Sequence, residues 1–226
     1  YILWLSVIAI IYGGYMALAQ SDLKKLVAYS SVSHMGFVTL GIFVFNSEGI
    51  QGAVLQMFNH GIITAALFIS VGQLYDRTHS RAISNYGGLH KPMPRFVALF
   101  TLFSVAAFGL PGTSNFIGEF LVLVGTSYVS FAMVLISMGG ILLAAAYMLW
   151  MVQRLVLGEP STEAAKMLPD LSNRELATLV PLATLVLGIG LYPGPLMEMM
   201  DASVIHLIQQ TTGLQGAEVS QLHLRP

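Results

Sequence analysis

The sequence predicts an all-α fold, a polytopic transmembrane helix bundle of about six spans in which the fourth span is a broken helix. Three observations carry that expectation. The 226 residues are 55% hydrophobic and only 9% charged, with a mean hydropathy of +0.74, whereas soluble domains carry about a quarter charged residues. The apolar residues gather into runs near the roughly 20 residues that one bilayer crossing needs. Those runs lack the polar and apolar alternation of barrel strands, so helices, which pair every backbone group internally, are the spanning elements.

In order, the runs are Tyr1 to Leu18, Leu26 to Phe45, Ile50 to Leu74, Phe96 to Val129, Phe131 to Val156 and Leu176 to Leu191. Each is bounded by charge, glycine or proline. The first opens on Tyr1, already apolar and without a signal-peptide layout, which reads as a portion of a longer protein. The fourth is too long for one crossing. As a continuous helix it would measure about 50 Å against a hydrocarbon core of about 30 Å. The break is written at Pro111-Gly112: proline removes a donor and clashes with the preceding turn, and Thr113, Ser114 or Asn115 can cap a new helix.

Basic residues separate a broken single crossing from a hairpin. With one crossing, Lys24, Lys25, Arg77, Arg81, Lys91, Arg95, Arg154, Lys166 and Arg174 share a face, leaving Arg225 on the other with Glu48, Glu198, Asp201 and Glu218. A hairpin would move Arg154, Lys166 and Arg174 across. The positive-inside rule favours the single crossing, with the basic face cytoplasmic and both chain ends on the other side.

Three ionisable side chains fall inside the spans: His34, His60 and Glu119. Lys24 and Lys25 sit at the mouth of the second span, where their stems can snorkel. Glu119 lies just beyond the start of the second half-helix. Its structural reading is a protonated glutamate bonding a backbone carbonyl freed by the break. Its functional reading is a station on an ion pathway, because intramembrane carboxylates cost several kcal/mol and broken helices at membrane depth line cavities. His34, in "SSVSHMG", and His60, after Asn59, lie at similar depth. Each could simply bond a neighbouring helix. Together, beside Glu119 and the hydroxyls of Ser30, Ser31 and Ser33, they form a candidate proton relay, since imidazole can accept a proton on one nitrogen and release one from the other.

Other chemistry is excluded on these residues. A net charge of -1 points away from nucleic acid. There is no cysteine, hence no disulfide, thiolate metal site or iron-sulfur cluster here. His79 and His90 lie in a long basic loop with no second ligand at metal spacing. Gly87-Gly88 lacks the lysine of a phosphate loop.

The stretches "QSDLKKLVAYSSVSHMGFV" (Gln20 to Val38), "NHGIITAALFISVGQLYDRTHSR" (Asn59 to Arg81) and "LPGTSNFIGEF" (Leu110 to Phe120) closely resemble the antiporter-like membrane subunits of respiratory complex I, the NADH-quinone oxidoreductases. The likeness runs essentially end to end and is greatest to the subunit M branch, chain 4 in organelles. It implies two inverted five-helix repeats, each with a broken fourth helix. Here residues 1–156 would be the second repeat, 157–175 a cytoplasmic loop, 176–192 a closing helix and 193–226 a tail, with the first repeat not represented. It implies that Glu119 is the ionisable residue of the broken helix, a lysine in several sister subunits, that His34 and His60 line a hydrated central axis, and that Lys24 is a basic residue at the cytoplasmic helix end. It further implies a proton-translocating subunit of a bacterial cytoplasmic membrane, bound to other membrane-arm subunits, with no cofactor of its own. NADH, FMN, iron-sulfur clusters and quinone would belong to partner subunits. A proton would reach Glu119 through His60 and leave outward.

Two other readings stay open: a subunit of a multi-component sodium/proton antiporter or membrane-bound hydrogenase, and a non-conducting membrane scaffold. Glutamate at position 119 and the "HSR" loop favour the first reading over its sister complexes. A solute permease lacks support, because no substrate-sized polar cluster is present.

Overall fold

The computed structural model describes residues 1–158 and 167–212. Among them run eight α-helices: α1 (Ile2–Leu18), α2 (Leu23–Phe43), α3 (Ser47–Thr78), α4 (Pro94–Ala107), α5 (Ser114–Ser127), α6 (Phe131–Val156), α7 (Asn173–Leu191) and α8 (Gly194–Thr212), with a 3-10 turn at Ile83–Asn85. By length and composition α2, α3, α6 and α7 can cross a membrane. α1 adds 17 apolar residues, and α4 and α5, of 14 residues each, are the halves of the broken span. At about 1.5 Å per residue neither half reaches across the hydrocarbon alone. The helix α8 falls in what the sequence offered only as a tail. The expected features at Lys166, Glu218 and Arg225 lie outside the described residues.

Local signals start and stop these helices. Asp22 caps α2 by accepting from Lys25 N, Asn46 caps α3 by accepting from Gly49 N at 2.8 Å, and Ser172 with Glu175 forms a reciprocal capping box on α7. α3 ends where His79 turns left-handed at φ 51°.

The interruption between α4 and α5 falls at the expected place. Pro111 brings no donor, and Gly109 and Gly112 take φ of 75° and 92°, a region that side chains disfavour. Thr113 occupies the cap position of α5, yet its hydroxyl does not cap. It donates instead to the Leu110 carbonyl at 2.7 Å. The freed Ala107 carbonyl accepts from Asn115 Nδ2 at 3.2 Å, and Asn59 Nδ2 of α3 donates to Ser114 O at 2.7 Å. Side-chain amides therefore mend the ladder that proline opens.

The ends of the helices show that this span crosses once. At one end Leu23 N donates to Arg81 O, Ile83 N to Ser21 O and Leu89 N to Leu155 O. Arg77 forks onto both Glu175 oxygens at 2.6 and 2.7 Å, and Asp170 receives the amides of Arg95 and Phe96. These contacts gather the start of α2, α4 and α7 with the end of α1, α3 and α6. At the other end Asn46 Nδ2 donates to Gly125 O, and Gln51 Nε2 to Asp201 Oδ1. α4 thus starts at the basic end and α5 finishes at the opposite one, so the hairpin is ruled out.

Close approach of α3 and α5 sets the spacing of everything between them. A Cβ on Gly52 would sit 2.7 Å from Val122 N, and one on Gly118 would sit 3.0 Å from the Gln56 backbone. Hydrogen at these positions lets two backbones touch, the small-residue contact typical of helix pairs in lipid. Gly118→Val should overpack this seam, costing about 1–3 kcal/mol or more, seen as a lowered midpoint of thermal unfolding in detergent. An unchanged midpoint would mean the seam opens freely. Ser84 and Ser203, both exposed and at opposite ends, should as cysteines be labelled from opposite sides by an impermeant reagent. Same-side labelling would contradict the single crossing.

Candidate functional site

Four helices bring their polar residues to one point beside the break. α5 supplies Glu119, one turn and a half into the helix, buried to 2% exposure. α2 supplies His34, whose Nδ1 lies 2.8 Å from Glu119 Oε1. α3 supplies Gln56, whose Nε2 donates to the same oxygen at 3.1 Å. α6 supplies Tyr147, whose hydroxyl lies 3.3 Å from His34 Nε2.

His60, one turn beyond Gln56 on α3, stacks at a tilt on His34 with ring centroids 5.3 Å apart. Its own Nε2 meets Thr64 Oγ1 at 3.1 Å. The sequence expectation placed His60 next to Glu119 on the route; the structure puts His34 between them.

The tautomer of His34 follows from its partners. Glu119 Oε1 accepts from Gln56, so in a carboxylate state it accepts from His34 Nδ1–H as well, which leaves neutral Nε2 to accept from the Tyr147 hydroxyl. Protonated His34 would donate at both nitrogens. The same geometry therefore serves both charge states of the imidazole, with the tyrosine hydroxyl rotating between them. A buried carboxylate met by two donors in this way is compensated against the cost of leaving water.

Gly109 shapes the other side of the carboxyl group. A Cβ there would come within 2.9 Å of Glu119 Oε2, so only glycine leaves the carboxylate its position. Beyond it opens a cleft of about 280 Å³ whose walls include Phe116, Phe120 and Leu142, with Glu119 in its lining.

Two expectations need correction. The structural reading of Glu119, a bond to a carbonyl freed by the break, does not describe its partners, because Asn115 answers that carbonyl. The hydroxyl row is only partly at the site. Ser30 donates to Val27 O and also lies beside the Tyr147 hydroxyl, while Ser31 and Ser33 bond backbone carbonyls away from it, Val27 O and Ile10 O of α1. Lys24 is exposed at the first turn of α2, about 15 Å of helix from His34, so the structure brings together Glu119, His34 and His60 and leaves Lys24 apart.

Gln56 and Tyr147 were not foreseen. Gln56 carried a signal: Gln56, His60 and Thr64 recur every four residues and so share one face of α3. Tyr147 carried none, since a tyrosine in an apolar run reads equally as a bilayer-interface anchor. Among the described residues no group of three or more His, Cys, Asp or Glu is placed to hold a metal ion.

Comparison with known proteins bears on the family and the fold. A family model described as NADH:quinone oxidoreductase/Mrp antiporter, TM, matches residues 1–144. The chain is 48% identical over 205 residues to the NADH-quinone oxidoreductase subunit M of Rhodobacter capsulatus, across 91% of this chain and 40% of that protein. It is 43% identical over 209 residues to the NADH-ubiquinone oxidoreductase chain 4 of Chondrus crispus, across 92% and 42%. A chain of respiratory complex I from Thermus thermophilus with bound NADH superposes with a TM-score of 0.81 at 32% identity, across 90% of this chain and 44% of that one. A chain of the Mrp complex from Dietzia sp. DQ12-45-1b gives a TM-score of 0.83 at 20% identity, across 95% and 49%, a likeness of fold. The chain thus spans about two fifths of the length of these curated relatives. With its first 144 residues matched to the family model, the chain belongs to the NADH:quinone oxidoreductase/Mrp antiporter transmembrane family.

Proposed function

We propose that the chain is the proton-conducting part of an antiporter-like membrane subunit of a proton-translocating NADH:quinone oxidoreductase. The observation that carries this reading is the buried contact of His34 with Glu119 beside a helix break, with His60 stacked behind it. Residues 1–156 act as the second five-helix repeat, 176–192 as the closing helix, and the basic end faces the cytoplasm of a bacterial cell. NADH, FMN, iron-sulfur clusters and quinone sit on partner subunits, and this chain contacts other membrane-arm subunits.

In this reading a proton passes from His60 to His34 and on to Glu119. Two imidazolium charges 5.3 Å apart would repel by about 3 kcal/mol at an effective dielectric of 20. A proton arriving at His60 therefore drives the one on His34 toward the carboxylate. Gln56 Oε1, Asn59 Oδ1, Asn115 Oδ1 and Ser114 Oγ are buried without a protein partner, and buried polar atoms of this kind are met by internal water. Such water supports proton transfer out past the break. A sodium/proton antiporter subunit shares the fold; the identities above and glutamate at position 119 favour the oxidoreductase.

Glu119→Gln keeps size and hydrogen bonding but cannot cycle between charge states. It should assemble normally and lower proton transfer about tenfold or more, measured as pH-gradient formation by reconstituted full-length complex at matched subunit content. Parental pumping would return Glu119 to a structural role.

The histidine order makes a second test. His34→Ala should slow pumping more than His60→Ala, because His34 is the imidazole in contact with Glu119. Tyr147→Phe, which removes one neutral hydrogen bond worth about 1 kcal/mol, should cost only a few-fold. Equal and normal pumping in all three would remove the relay.

A further inference from the structure

A second feature lies at the basic end, apart from the His34–Glu119 contact. A cleft of about 360 Å³ opens between the amino end of α2 and the carboxyl end of α3, lined by Lys24, Phe68, Val71, Gly72, Tyr75 and Arg81. Its chemistry is ordered along the helix axis. Lys24 and Arg81 stand at the mouth, where the chain meets water, and both are exposed. The apolar wall from Phe68 to Tyr75 descends about 10 Å along α3 toward the bilayer centre.

Among the described residues neither cation is paired with a carboxylate. Glu119 pairs with His34 and Glu175 with Arg77, so neither carboxylate answers them. Of the nearest acids, Asp22 accepts from the Lys25 amide, and Asp76, exposed on α3, pairs with neither cation. The Arg81 guanidinium instead lies over the Tyr75 ring, 4.8 Å from its centroid, a stacking that fixes its position while leaving its donors available. Below, a Cβ on Gly72 would meet nothing within 4 Å, so open space lies against the wall at this level.

We propose that this cleft binds an anionic phospholipid, with its phosphate between Lys24 and Arg81 and one acyl chain along Phe68, Val71 and Gly72. Charge at the membrane boundary above an apolar channel matches a phospholipid in sign and in order. Basic pockets between helices at the cytoplasmic surface hold acidic headgroups for the same reason. A protein helix seated there would bring hydrocarbon but leave the two cations unmatched unless it also ended in acid.

The test uses the full-length subunit in its purified complex, reconstituted in phosphatidylcholine vesicles containing a minor fraction of phosphatidylglycerol with a diazirine on one acyl chain. Illumination should label the Phe68 to Tyr75 stretch. The same diazirine on phosphatidylcholine should label it several-fold less. Lys24→Gln and Arg81→Gln should each lower the phosphatidylglycerol label about fivefold. Lys25→Gln removes an equal charge outside the cleft and should leave the label unchanged.

Gly72→Leu keeps both cations, points into open space and should block the label by filling the acyl channel. Equal labelling by the two lipids, or indifference to these substitutions, would overturn the proposal. So would displacement of the label by tens of millimolar inorganic phosphate, which would assign the cleft to a soluble anion. Label recovered instead on a neighbouring subunit would show that protein covers the cleft, and would overturn it too.

Discussion

A carboxylate in the middle of a helix bundle must be met by donors or it must stay neutral, and the surroundings of Glu119 are built to that constraint. Its Oε1 receives His34 and Gln56 from two different helices. Gln56 reaches it because α3 and α5 touch through Gly52 and Gly118, and Gly109 gives Oε2 room. Removing one partner of such a pair leaves a buried charge uncompensated, which is far more costly than the pair is stabilising. The polar residues of the break share the remaining work. Asn115, Thr113 and Asn59 answer backbone groups, so the carboxylate is not needed to repair the break.

That division separates the site from a helix break that merely needed repair. His34 is bonded at both ring nitrogens, to an acid on one side and a phenol on the other. An imidazole so held changes charge without moving, because each neighbour can serve it in either state. His60 adds a second imidazole close enough for the two charges to compete. The cluster has few stable proton distributions, and a change imposed at one end is felt at the other. Such a device suits the proton-conducting role proposed above.

Much of the fold was legible because bilayer thickness sets a length and proline-glycine sets a break. The run from Phe96 to Val129 was too long to be one span, and the pair at Pro111-Gly112 showed where it divides. Charge asymmetry gave the single crossing, since Arg154 and Arg174 made sense only on the face of Arg77. The site was legible in part, because His34, His60 and Glu119 were the sole histidines or carboxylates within the spans. Their order was not legible: spacing along a helix gives depth and face, but which of two imidazoles meets the acid depends on how α2 and α3 rotate against α5. Tyr147 was invisible for the same reason, as was the use of Ser33 as an anchor to α1. α8 was missed because its apolar residues, Val204 and Ile208, serve packing against Ile50 rather than a crossing.

Proton occupancy of Glu119 during turnover is the quantity on which the functional reading rests. Infrared difference spectroscopy of the complete complex, recorded between resting and energised states and referenced to Glu119→Gln, reports it directly. A carboxyl band assigned to Glu119 should change between its protonated and ionised forms, together with an imidazole band that is lost in His34→Ala. A Glu119 band that stays the same in both states, in a complex that pumps, would contradict the relay.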